Sequence, residues 1–138
     1  MTDESTFAVH LREVTRMLAP ALRAAAIAVP SHAATLTAAA ARCEAEATHD
    51  AAKAAKWAAY AALEWTETHY AQRGAHALAD EVERACSAAS VAWVRHADGW
   101  PGPMRQEIGR AHIYARSSRV RAWLGIDEAE PADASVPA

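Results

Sequence analysis

The sequence lacks the pattern of a β protein, and it has little glycine or proline. No stretch alternates Val, Ile, Thr or aromatic residues with polar ones, which excludes a sandwich or barrel. Only 5 glycines and 6 prolines interrupt 138 residues. What fills the remainder is alanine, mixed with Glu, Arg and Leu, the strongest helix formers. The composition therefore predicts an all-α, alanine-rich fold.

Cysteine is scarce, and long apolar runs are missing. Cys43 and Cys86 do not form a CxxC pair, and both fall within predicted helices, which indicates reduced, buried thiols. The acidic start of the chain has no basic segment of the kind that opens a signal peptide. The apolar runs at 24–29 and 33–41 are too short for a membrane span. We expect a cytoplasmic protein without a membrane partner.

The chain has no excess of positive charge. Its net charge is −3, and without the four acids of the last segment it would be +1. The remainder is close to neutral, so there is no global attraction to nucleic acid or lipid. The acidic, Pro- and Ala-containing segment at 126–138 is predicted to be a disordered, flexible tail.

Apolar periodicity predicts one domain over residues 1–125, a bundle of four to five helices. Pro20 predicts a kink or break in the first helix, and Ser31 and Asp50 are expected N-caps. Gly74 and Gly125 are expected to end the third and fifth helices. The predicted helices cover residues 5–29, 33–47, 51–72, 75–97 and 103–124.

Catalytic signatures are missing too. There is no Gly-rich phosphate loop, no GxSxG, no HExxH and no zinc-finger spacing. His76 and Asp80 could pair on one helix, but no nucleophile accompanies them. We therefore predict no catalytic residues and no cofactor, and we favour a protein that is not an enzyme.

The strongest functional signal is a row of basic residues on the predicted fifth helix. Arg105, His112, Arg116 and Arg119 fall within about 60° of one another on a continuous helix, at about 100° per residue. Such a row suits an acidic protein surface or a phosphate backbone. Trp123 falls on the same side, and Trp100 in the preceding loop is a candidate exposed anchor. The alternative is that these arginines pair with acids of neighbouring helices or are simply solvated.

A weaker signal is the ExxH spacing of Glu46 and His49. Dimetal carboxylate bundles use two such pairs on four helices, but this sequence has only one. A mononuclear metal site with Glu46, His49 and either Glu64 or His69 is a lesser alternative. Otherwise these side chains are ordinary surface groups.

Aromatic residues are numerous for so alanine-rich a chain, with 5 tryptophans and 3 tyrosines. Large rings can fill the space that alanine leaves in a core, and this is the main expectation for them. The other reading is an exposed partner surface or a pocket around Trp57, Tyr60 and Trp65.

These observations predict a non-enzymatic interaction protein that binds another protein, or a second copy of itself, through the arginine row and exposed tryptophans. The first alternative is a nucleic-acid-associated accessory protein that uses the same arginines. The second is a helical bundle enzyme that binds a metal or small ligand. Residues 51–95 are rich in alanine and tryptophan, and in this composition they resemble small bacterial accessory and immunity proteins. The resemblance includes no sequence motif.

Overall fold

A computed structural model describes residues 3–69 and 73–126, with side chains from residue 7 onward. Within these ranges the protein is a bundle of helices without a strand, as the composition predicts. Five long helices pack against one another, a single 3₁₀ turn (Pro30–His32) joins the first two, and a short sixth helix follows. The helices are α1 (Asp3–Ala28), α2 (Ala33–Ala45), α3 (His49–Thr68), α4 (Arg73–Ala97), α5 (Pro101–Ala115) and α6 (Ser118–Trp123).

The core forms around α1 and α4. The apolar stripe of α1 is fully buried, and α4 contributes the buried Leu78 and Val82. Helix α4 packs against α1, α3 and α5, whereas α2 packs mainly on α1 and α3. Most of the other buried residues are alanines, whose small side chains allow helix axes to approach closely. The stripe on α1 consists of Leu11, Val14, Leu18 and Leu22.

Helix α1 continues through Pro20, where a kink or break was expected. The side chain of Pro20 is exposed, so its ring and the carbonyl group that it leaves without an N–H partner lie on the solvated side. Leu18 and Leu22, on either side of it, are fully buried. Packing of this buried face outweighs the local cost of proline.

Three predicted helix ends are wrong, and at one of them another polar side chain supplies the cap. Helix α3 begins after Thr48, whose hydroxyl accepts from the Ala51 N–H, while Asp50 lies in the first turn. Ser31 lies in the 3₁₀ turn and does not cap α2. Gly74 lies inside the first turn of α4 and does not end α3.

The predicted fifth helix is two helices. Helix α5 ends at Ala115, and Ser117 then caps α6 by accepting a hydrogen bond from the Val120 N–H. A serine hydroxyl competes well for free backbone N–H groups, so a new helix can begin there without glycine or proline. Gly125, with a positive φ of 75°, follows the end of α6 as expected.

Two remaining predictions concern the tail and the membrane. Apart from Ile126, the tail predicted at 126–138 lies outside the described residues. Within residues 3–69 and 73–126, none of the helices combines the length and the apolar character needed to cross a bilayer.

Candidate protein-binding surface on α5

The outer face of α5 carries part of the predicted basic row. Arg105 and His112 lie one above the other on the exposed side of the helix, and Arg116 follows directly after its last turn. All three side chains are exposed. No carboxylate oxygen in the described part of the chain lies within 4.0 Å of Arg105, Arg110 or Arg116. The face therefore presents guanidinium groups without an internal ion pair.

Ile113 is the residue that sequence reasoning missed. It follows His112 on the outer side of α5, and 69% of its surface is exposed, more than for any other large hydrophobic residue described. A large apolar side chain in this position loses hydrophobic free energy that burial against another surface would recover. Its place four residues after Gly109, on the side of the arginines, associates it with the basic row but does not show that it is exposed.

Trp100, the candidate anchor, precedes the first residue of α5 and is 53% exposed. The guanidinium carbon of Arg95 lies 5.3 Å from the centre of its ring, within the range of a cation–π contact. Arg105 makes a similar contact with Phe7, at 5.1 Å. These contacts restrict the two arginines and keep their charge at the surface.

Arg119 and Trp123 belong to α6, so the helical spacing that grouped them with Arg105 does not apply across the break. Arg119 forms an ion pair with Glu81 of α4, and the Ser117 hydroxyl donates to the same carboxylate. Trp123 is partly buried and packs against the core, close to Gly74. Both residues attach α6 to the bundle, which is the pairing alternative that the sequence left open.

The four candidate metal ligands lie in different settings. Glu46 follows the end of α2 and pairs with Arg42, while His49 opens α3 after Ala47, which has a φ of 50°. His69 stacks on Trp65 at a ring distance of 4.3 Å, and Glu64 is exposed on α3. No group of three or more His, Cys, Asp or Glu residues in the described ranges could hold a metal ion.

His49, the first residue of α3, is instead semi-buried against α4. Its ring stacks on Trp93 with centres 6.1 Å apart, and its Nε2 atom is buried without a hydrogen-bond partner. The Trp93 indole N–H donates to the Thr15 hydroxyl. Burial lowers the pKa of His49 from its ordinary value, and nearby Lys53 lowers it further. The neutral imidazole is therefore the form that fits the fold.

Stability should consequently fall in mild acid. Because the pKa of His49 is lower in the folded state, the unfolded chain takes up the proton first as the pH drops below about 6.5. Urea unfolding at several pH values should show that the free energy of unfolding decreases as the pH is lowered from 7.5 to 5. His49→Phe keeps the stacked ring and should flatten this dependence, whereas His10→Gln at an exposed site should not. An unchanged slope in His49→Phe would contradict the assignment.

Both thiols are buried, as predicted. Burial raises the pKa of Cys43 to about 11 and that of Cys86 well above its ordinary value, so neither is a thiolate near neutral pH.

The pair of His76 with Asp80 does not form. His76 bonds to the Thr66 hydroxyl at 3.0 Å, and Asp80 pairs with Arg84.

The tryptophans divide between core and surface. Trp65, Trp93 and Trp123 are partly buried and pack against the core, as expected for rings that fill space between alanines. Trp57 is 58% exposed, and its ring meets that of Tyr60 edge-on at 6.0 Å. The pattern of the sequence did not separate these two groups.

No family model matches the chain, and no curated protein and no solved structure is detectably similar to it. The functional interpretation therefore depends on the geometry of the residues themselves.

Proposed function

We propose that the protein is a non-enzymatic interaction module that binds another protein through the outer face of α5. The observation that carries the proposal is the exposure of Ile113 beside arginines without an internal ion pair. Interfaces combine an apolar anchor with a polar rim, and arginine and tryptophan are enriched among the residues that dominate binding. Ile113 supplies the anchor, while Arg105, His112 and Arg116 supply the rim.

The chemistry of this face defines the partner. Guanidinium groups form paired hydrogen bonds with carboxylates, so the partner should carry Asp or Glu around an apolar pocket that accepts Ile113. Trp100 extends the contact toward the start of α5. Arg119 and Trp123 lie outside this face because the Glu81 ion pair and core packing already engage them.

Variants of the α5 face test the proposal. Cross-linking in cells that express the chain should identify a partner, which is then purified and titrated against each variant. We expect Ile113→Glu, and separately Arg105→Glu with Arg116→Glu, to weaken binding at least about tenfold, which corresponds to 1.4 kcal/mol. Arg12→Glu with Arg16→Glu makes the same charge change on exposed sites of α1 and should bind as the wild type does.

Two results would contradict the proposal. One is a partner that binds the α5 variants and the α1 control equally. The other is binding of random-sequence duplex DNA whose affinity falls steeply with salt and depends on the same arginines, since phosphate contacts produce such a slope. An interface anchored on Ile113 should depend on salt only modestly.

A further inference from the structure

A second surface, on α3, has a charge pattern that is complementary to itself. Six side chains, each three or four residues from at least one other member, form a stripe that spans about 100° of the helix surface, at about 100° per residue. We call them the α3 stripe. Its members, in order, are Lys53, Lys56, Trp57, Tyr60, Glu64 and Glu67.

Five of the six side chains of the stripe are exposed, and Lys56 is half-buried. Trp57 is the second most exposed large hydrophobic residue described, and Tyr60 beside it is also exposed. Among the described residues, none of the two lysines and two glutamates of the stripe takes part in an ion pair. Lys56 lies over its own neighbour, with Nζ 5.0 Å from the centre of the Trp57 ring.

The order of the charges is symmetric about Tyr60. Lys56 and Glu64 lie four residues before and after it, and Lys53 and Glu67 lie seven residues before and after it. When two α3 helices pack antiparallel about a two-fold axis at Tyr60, each lysine meets a glutamate of the other copy. A two-fold contact uses one patch on both copies, so the patch must be complementary to itself.

An apolar groove beside the stripe supplies further contact area. It has a volume of about 490 Å³ and runs between α2 and α3, with Trp57 at its edge. Its other lining residues are mostly alanines, so its floor is shallow and apolar. The Trp57 side chain of a second copy can enter such a groove, as large side chains do between helices. The lining residues on α3 are Ala54, Trp57, Ala58 and Ala61.

We propose that the chain forms a symmetric homodimer through the α3 stripe and the adjoining groove. The occupant is a second copy because the stripe carries both charges in the mirrored order that antiparallel pairing requires. This surface is separate from the face proposed for partner binding, since α3 and α5 pack on α4 rather than on each other. The dimer therefore leaves both α5 faces free and makes the protein bivalent.

Exchange of charge tests the dimer directly. Sedimentation equilibrium should give the wild type a concentration-dependent mass that approaches twice 14.7 kDa. Lys53→Glu with Lys56→Glu makes the stripe wholly acidic, and Glu64→Lys with Glu67→Lys makes it wholly basic. Each variant alone should dimerise at least about tenfold more weakly, because like charges then face each other. An equimolar mixture of the two should form a heterodimer near wild-type affinity.

Controls separate this surface from the fold and from the α5 face. Circular dichroism and thermal unfolding should show that both variants fold, because the substituted side chains lie at the surface. Arg12→Glu with Arg16→Glu and the α5 variants should dimerise as the wild type does. A monomeric wild type at millimolar concentration, a dimer that survives both charge exchanges, or a mixture that remains monomeric would each overturn the proposal.

Discussion

Leu22→Ala is expected to lower the free energy of unfolding by about 3 kcal/mol, within the range of 2–5 kcal/mol for such truncations. Leu22 is fully buried on α1, among core residues that are mostly alanines. An alanine methyl group cannot extend into the space that the leucine leaves, so the cavity should persist. Urea unfolding of the two proteins at equal concentration measures the difference.

Ile27→Ala is the matched control on the same helix. Ile27 is 54% exposed, so its truncation should cost well under 1 kcal/mol, as at most surface sites. If the two substitutions cost the same, the stripe that ends at Leu22 would not be the main source of core area. Both measurements should be made in dilute protein, so that association does not add to the apparent stability.

The helices were predictable because their buried faces recur at helical steps. The stripe of α1 survives Pro20 because the periodicity of Leu18 and Leu22 continues across it. The helix ends were less predictable, since several groups near each end compete for the same free backbone N–H groups. Thr48 caps α3 although Asp50 is as good a candidate by residue type.

The candidate surface was only partly predictable, for the same reason. The helix is interrupted at Arg116 and Ser117, and this interruption removes Arg119 and Trp123 from the row. Only the capping hydrogen bond of Ser117 reveals the interruption. The exposure of Ile113 was also not predictable from the sequence. The pattern of α5 does not show that Ile113 faces solvent, because that depends on which side of α5 rests on α1 and α4.

Tryptophan exposure depends on the neighbours in the same way. Trp57 and Trp65 are eight residues apart on α3, yet Trp65 packs against the core and Trp57 stands at the surface. The first turns of α4 and the 3₁₀ turn approach one end of α3, where His32 lies beside Trp65. Among the elements that the structure describes, none covers Trp57 in the same way, which composition alone could not show.

Ala55→Leu is expected to destabilise the protein by about 3 kcal/mol, at the upper end of overpacking effects. Ala55 is fully buried on α3, which lies between α2 and α4. Three additional carbons there would force the helix axes apart and disturb neighbouring alanine contacts along the same face. Leucine and alanine both favour helix, so the loss would report packing and not helix propensity.

Ala41→Leu, at an exposed site on α2, makes the same chemical change and should alter stability by less than about 0.5 kcal/mol. Urea unfolding of both variants decides the matter. A tolerated leucine at position 55 would mean that close approach of α3 is not what holds this alanine-rich bundle together.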